Sequence, residues 1–206
     1  MKNIKLLQRH LELMDRLPFC KKTEYIVKEL SMDFPNKRIG SGSSRLVYDL
    51  IGTKYVLKIA YNGKGVAQNK AESHPIFKEY SKYFSQIILE SKRFHVLVSE
   101  KAEHISCALQ LEDRLVKDRI STPIYIIFRP KEQLPPWRKI YKKNLTSFGN
   151  RLREVLFNID KEIPLLLPGD FTSADSYGLV NNKLKIIDYG FNQEVYEKHY
   201  RRYRYD

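Results

Sequence analysis

The chain has 206 residues, of which 42% are hydrophobic and 30% charged, the composition of an ordinary globular protein with a buried core. Lysine and arginine number 37 against 24 aspartates and glutamates. The formal net charge of +13 favours polyanionic partners, whether nucleotides, nucleic acid or an acidic protein surface. No apolar run approaches the ~20 residues of a membrane span, so we expect no membrane partner.

Two further features bear on the compartment. Cys20 and Cys107 lie far apart in sequence and without metal-ligand company, which indicates neither a disulfide framework nor a zinc site. The first 19 residues carry charges throughout, a pattern typical of a helix and not of a signal peptide. We therefore expect a reducing, cytoplasmic location.

The N-terminal third predicts helices followed by strands. Apolar side chains recur at helical spacing over residues 3–17 and again over residues 22–30, so both segments are predicted helices. The composition then changes to Gly, β-branched and aromatic residues, which predicts short antiparallel strands with a tight turn at Gly52-Thr53. The predicted strands are 37–40, 45–51 and 54–60.

The remainder alternates between the same two kinds of element. Residues 65–84 are predicted to be helical with a break at His74-Pro75, and "QIILE" and "FHVLVSE" to be strands. Residues 103–160 are predicted to be mostly helical, and "YGLVNNKLKIID" to be a hairpin turning at its two asparagines. The order predicts an α+β protein: helices, a five-stranded antiparallel sheet with one inserted helix, helices, then a hairpin.

Two candidates for phosphate binding lie in the predicted sheet. Gly40 and Gly42, in "RIGSGSSRLVYDL", would let backbone N–H groups approach phosphate oxygens, although a bulged hairpin turn is the commoner reason for two such glycines. Lys58 lies in the apolar strand "KYVLKIA". If it faces inward it needs a carboxylate partner, for which Glu72 is favoured over Glu79; if it faces outward it needs none.

Three aspartates form the second candidate cluster. Asp170 and Asp175 lie in "LLLPGDFTSADSYGLV", and Asp188 ends the hairpin that follows. Carboxylates that converge repel each other without a cation, so two Mg²⁺ ions and a hydroxyl substrate would explain all three. The alternative is three unrelated loop aspartates.

Together these residues resemble the protein-kinase-like fold over residues 38–191. The motifs are Gly40-x-Gly42-x-x-Arg45-x-Val47, Lys58, a helix Glu, Asp170 with Asp175 at plus five, and Asp188-Tyr189-Gly190. The likeness is to compact bacterial or viral, phage-type kinase-like proteins. It implies a minimal bilobal fold, with a helical extension at 1–35, an N-lobe at 36–102 and a reduced helical C-lobe with a basic tail at 103–206.

The resemblance also implies ATP and Mg²⁺ as cofactors, with a role for each motif residue. Lys58, paired with Glu72, positions the α- and β-phosphates, and Asp170 accepts or orients the substrate hydroxyl. Asp175 and Asp188 are implied to hold Mg²⁺. Residues implied to surround the nucleotide are Gly40 and Gly42 over the phosphates, Ile39, Val47 and Val56 in the pocket roof, and Glu100 to Ala102 beside adenine.

The chain departs from the family pattern in four places. Arg45 occupies the third glycine position, where its guanidinium is a further candidate for phosphate contact, and Asp175 replaces the usual Asn but keeps a hard oxygen ligand. Pro168 stands where many members carry His. Because 15 residues follow Phe191, we expect neither a full activation segment nor peptide recognition of the usual kind.

The predicted function is an ATP- and Mg²⁺-dependent phosphotransferase. A protein hydroxyl is the first candidate acceptor and a small molecule the second, and transfer of another group such as AMP stays open. One alternative is an inactive pseudokinase that binds a protein, in a host cytoplasm if the chain is viral. Another is a nucleic-acid-associated protein, since the tail "EKHYRRYRYD" interleaves tyrosines with arginines.

Overall fold

The computed structural model describes the greater part of the chain: residues 2–105, 107–117, 145–165, 171 and 173–201. The chain divides into two compact units. Unit 1 comprises Met1–Lys78 and Ser85–Lys101, and unit 2 comprises Glu79–Phe84 and Ala102–Asp206. Among the described helices, none is long and apolar enough to cross a membrane.

Unit 1 is built on a five-stranded antiparallel sheet, as the sequence predicts. Its spatial order is β1-β2-β3-β5-β4, and the strands are β1 (Asn36–Ser41), β2 (Arg45–Leu50), β3 (Tyr55–Ala60), β4 (Ile87–Glu90) and β5 (Val96–Glu100). The turn between β2 and β3 contains Gly52 at φ +78°, a backbone conformation that glycine adopts without steric cost. Local turn chemistry therefore sets the register of the central hairpin.

The N-terminal helices cover one face of this sheet. They are α1 (Lys2–Arg16), α2 (Phe19–Tyr25), a π-helical turn (Ile26–Leu30) and α3 (Ser31–Asp33). Their apolar side chains and alternate residues of β2, β3 and β5 form one core. Its buried members are Leu7, Leu11, Met14, Ile26, Leu30, Phe34, Tyr48, Leu50, Leu57, Ile59, Val96 and Val98.

Helix α4 (Gly63–Glu72) packs on the other side of β3, since Glu72 meets Lys58 while the neighbouring Leu57 belongs to the helical core. Side chains alternate between faces along a strand, so covering both faces explains why β3 is apolar nearly throughout. A short helix α5 (Ile76–Glu79) follows. The predicted break at His74-Pro75 is confirmed, because α4 ends before it and α5 begins after it.

Unit 2 contains a three-stranded antiparallel sheet in the order β6-β7-β8, together with helices. Its elements are β6 (Glu103–His104), α6 (Ala108–Leu115), α7 (Ser147–Glu162), a 3₁₀ turn (Ala174–Ser176), β7 (Tyr177–Val180), β8 (Lys183–Ile186) and α8 (Gln193–His199). The predicted asparagine hairpin is confirmed, with Asn181 at φ 50° and Asn182 at φ 61°. The segment predicted as mostly helical instead begins with β6, because its backbone pairs with β7.

Candidate functional site

Three of the predicted nucleotide-binding residues form one row across the sheet of unit 1. Gly40 on β1 lies opposite Val47 on β2, and Val47 lies opposite Lys58 on β3. Residues directly opposite each other project to the same face. A Cβ placed on Gly40 would lie 3.6 Å from the Cβ of Val47, which agrees with that arrangement. The row therefore lies on the face that α4 covers.

Lys58 at the end of this row forms a buried ion pair with Glu72 of α4. The lysine Nζ lies 2.6 Å from Glu72 Oε2, and the two side chains are 8% and 0% exposed. The inward orientation and the predicted partner are thus both present, whereas Glu79 is exposed in α5. Removing two charges from water is costly unless they bind each other closely, so this pair holds the ammonium at a defined point.

Arg45 is a second cation on the same carboxylate, a contact that the sequence alone did not predict. Its Nη1 donates to Glu72 Oε1 at 2.7 Å and lies 3.4 Å from Asn69 Oδ1. The hairpin register contains the signal that could have found it. Arg45 lies opposite Ala60, two positions beyond Lys58, so both cations project to one face and can share a carboxylate.

Helix α4 docks on the sheet mainly through polar contacts. Its buried residues are Gly65, Gln68, Asn69 and Glu72. The Ser44 hydroxyl donates to Gln68 Oε1 at 2.5 Å, and Asn69 Nδ2 donates to the Phe94 carbonyl at 2.8 Å. Buried polar groups are stable when their hydrogen bonds are made, and these contacts fix the helix that carries Glu72.

The glycine loop, residues 40–44, leads from the end of β1 to the start of β2 and directly precedes Arg45. Packing does not explain its glycines. Neither Gly40 nor Gly42 has a positive φ, and a Cβ on Gly42 would meet no atom of the described residues within 4 Å. The Gly42 N–H donates to the Arg45 carbonyl at 2.9 Å, so this amide stabilises the turn and is not one that a phosphate would contact. A side chain at position 42 would therefore point into open space among the described residues.

The predicted adenine-side residues lie where the chain passes between the two units. The division falls between Lys101 and Ala102, inside the segment that the resemblance assigns to the hinge. The Glu100 carboxylate accepts the Gln86 N–H at 3.0 Å. Of the pocket-roof residues, Val56 is buried, whereas Ile39 occupies the β-bulge of β1 and is 54% exposed.

The described aspartates of the predicted metal site lie on neighbouring segments of unit 2. The N–H groups of Ile187 and Asp188 donate to the Ser176 carbonyl at 2.8 and 3.4 Å, which places Asp188 beside the turn that carries Asp175. Asp188 is half-buried, and Asp175 is 87% exposed with its Oδ1 3.5 Å from His104 Nε2.

Asp170 lies outside the described residues, and among those described no group of three or more His, Cys, Asp or Glu side chains could hold a metal ion. Two carboxylates offer the hard oxygen ligands that Mg²⁺ prefers, so their chemistry fits this ion. Magnesium binding by Asp175 and Asp188 stays a prediction.

Tyr177 anchors the segment that carries Asp175. Its ring is buried and its hydroxyl donates to the Phe171 carbonyl at 2.9 Å. Burial raises the pKa of the Tyr177 hydroxyl far above its ordinary value of 10, so the group stays neutral at any physiological pH. We infer a structural role for this tyrosine.

No known protein-family model matches the chain, and no curated protein matches it. A functional assignment therefore depends on the contacts described above. In unit 1 those contacts join Lys58, Glu72 and Arg45 beside the row that contains Gly40 and Val47.

Proposed function

We propose that the chain is an ATP- and Mg²⁺-dependent phosphotransferase of minimal, bilobal protein-kinase-like fold, with a protein hydroxyl as its first candidate acceptor. The observation that carries this proposal is the buried Lys58–Glu72 pair, in register with Gly40 and Val47. A lysine on an inward sheet face is costly, and binding phosphate is a function that repays the cost.

The residues of unit 1 would bind and orient the nucleotide. Lys58 would place its ammonium against the α- and β-phosphates, while Glu72 holds that ammonium in position. Arg45 would steady the Glu72 carboxylate from the other side. The open space at Gly42 would let phosphates approach the backbone closely, which a side chain would prevent.

The remaining roles follow from the resemblance. Glu100 and Ala102 would lie beside adenine, with Val47 in the pocket roof. Asp170 would accept the proton of the acceptor hydroxyl as the phosphoryl group is transferred. Asp175 and Asp188 would hold Mg²⁺, which, when bound, neutralises charge on the phosphates. Such an enzyme would work in a cytoplasm, where ATP and Mg²⁺ are abundant.

A thermal-shift titration with ATP, with and without Mg²⁺, tests the proposal on the wild-type protein. A ligand at a hundred times its dissociation constant stabilises the folded state by about 2.7 kcal/mol, which is visible as a raised melting temperature. We expect a Mg²⁺-dependent shift in the wild type that Asp188→Ala reduces to the shift seen without Mg²⁺. Lys58→Met is expected to lose most of the shift.

Gly42→Ala is a variant that tests ATP binding without disturbing the fold, because its added methyl group enters open space. Its ligand-free stability is expected to be unchanged or raised by about 0.4–1 kcal/mol, while its ATP shift falls. No shift with any nucleotide in the wild type would refute the proposal. A shift without transfer of labelled γ-phosphate to protein substrates would instead favour the pseudokinase alternative.

A further inference from the structure

The glycine loop is tied along its length to the two residues that precede helix α4. The Tyr61 hydroxyl donates to the Gly42 carbonyl at 2.5 Å, and Asn62 Nδ2 donates to the Ser43 carbonyl at 3.2 Å. The backbone N–H of Tyr61 donates to the Ser44 carbonyl at 3.2 Å. Three consecutive carbonyls of the loop are therefore held by two consecutive residues outside it.

These two residues, Tyr61 and Asn62, form a tether that is itself anchored at the start of helix α4. Asn62 is the N-cap of α4, and its Oδ1 accepts the Gly65 N–H at 3.0 Å while its Nδ2 holds the loop. Two residues after Asn62, Lys64 Nζ lies 2.8 Å from the Ser43 hydroxyl. The loop is thus attached to the same helix that carries Glu72.

This attachment bears on ligand affinity through conformational entropy. A loop containing glycine has many accessible conformations. A ligand that binds the loop backbone therefore binds more weakly, because the loop loses conformational entropy when it becomes ordered. Hydrogen bonds that already restrict the carbonyls reduce this cost before the ligand arrives. Tyr61 is 36% exposed, and its hydroxyl acts on the loop by donating to the Gly42 carbonyl oxygen.

We infer that Tyr61 and Asn62 are positioning residues that hold the glycine loop in the shape that receives the phosphates of a nucleotide. The inference rests on the proposed function and deepens it, because it identifies residues outside the family motifs that set phosphate affinity. Both act through the loop backbone and neither is required to touch the ligand.

Tyr61→Phe is the primary test, because it removes one hydroxyl and keeps the ring. Tyr55→Phe is the matched control: Tyr55 lies at the opposite end of β3, where its backbone pairs with Glu100. Calorimetry would measure the affinity of each full-length variant for ATP with Mg²⁺ and for adenosine. Hydrogen exchange of amides 40–44 in the ligand-free protein would report loop order.

We expect Tyr61→Phe to bind ATP about three- to tenfold more weakly, the range of one lost hydrogen bond, and adenosine as tightly as the wild type. Loop amides should exchange faster while β3 amides stay protected. Asn62→Ser should behave alike, because serine keeps the helix cap but lacks the amide donor that reaches Ser43. Tyr55→Phe should match the wild type in every measurement.

Three results would overturn the inference. Equal ATP affinity in wild type and Tyr61→Phe, with nucleotide binding intact, would refute it and leave the proposed function standing. Equal weakening of ATP and adenosine would mean that the tyrosine supports the fold and not the phosphates. If the wild type binds no ATP, the proposed function fails first and this inference falls with it.

Discussion

Among single residues, Asp15 near the end of α1 shows how the N-terminal helices are joined to the sheet. Its carboxylate accepts hydrogen bonds from the Ser91 hydroxyl at 2.8 Å and from the Arg93 N–H at 2.9 Å. His95 Nδ1 lies 3.4 Å from the same carboxylate. Lys22, buried in α2, donates from Nζ to the Leu17 carbonyl. Charged and titratable groups thus occupy a largely buried junction.

The pH dependence of stability follows from His95. Burial, followed by the charge of Lys22, lowers the pKa of His95 below its ordinary value of 6.5, although Asp15 acts in the opposite direction. Below pH 6.5 the unfolded chain therefore binds this proton before the folded chain does. The free energy of unfolding therefore decreases as the pH falls through 6.5, and the decrease due to His95 is complete below the pKa of His95 in the folded state.

We expect the wild-type melting temperature to fall between pH 7.5 and pH 5.5, and His95→Gln to reduce that fall. The glutamine cannot bind the proton, so its folded and unfolded states no longer differ at this site. His104→Gln is the control, because His104 is 71% exposed. Melting curves recorded at several pH values would show the difference. Parallel pH profiles for wild type and His95→Gln would contradict the assignment.

Among the elements, α4 depends on one close backbone approach. A Cβ on Gly65 would lie 2.2 Å from the Ser44 carbonyl oxygen and 3.0 Å from the Cα of Ala60. Ser44 belongs to the glycine loop and Ala60 to β3, and both neighbours are backbone atoms, so the helix itself would have to move. A Cβ on Gly63, two residues earlier in the helix, would have no described atom within 4 Å.

The same substitution is therefore expected to have opposite effects at these two sites. Gly65→Ala should destabilise the protein by about 1–3 kcal/mol, as overpacking does. Gly63→Ala should be neutral or stabilise by about 0.4–1 kcal/mol, because it restricts the unfolded chain. Denaturant unfolding measures both. Equal free energies of unfolding for the two variants would show that α4 does not pack this closely on the glycine loop and β3.

The elements also show what could be predicted from the sequence. Strands and turns were predictable because their signals are local, as Gly52 and the Asn181-Asn182 pair show. The docking face of α4 was not, because a buried stripe containing Gln68 and Asn69 looks like a solvent-exposed face until its strand partners are known.

The candidate site divides in the same way. Lys58 with Glu72 could be predicted, because an inward lysine needs a carboxylate and the following helix supplies one. The contact of Arg45 with Glu72 required the register of β2 against β3, and the tether by Tyr61 required the path of the chain into α4. Asp170 belongs to the undescribed part, so its role stays a prediction from resemblance.

For the whole molecule, the question is whether residues 1–35 form an extension or part of the first unit. Leu11 of α1 and Leu57 of β3 belong to one buried core, and both are 0% exposed. The helices and the sheet bury apolar surface against each other, and burial of this kind is the main source of folding stability. They are therefore expected to unfold together.

Leu11→Ala tests this shared core. We expect it to lower the free energy of unfolding by about 2–5 kcal/mol, because it leaves a cavity in a packed interior. Amides of β3 should lose hydrogen-exchange protection by the same amount as amides of α1. Leu13 lies in the same helix and is 41% exposed, so Leu13→Ala should change the free energy of unfolding by less than about 0.5 kcal/mol. Full protection of β3 in Leu11→Ala would instead show that residues 1–35 are a separable extension, whose loss the sheet survives.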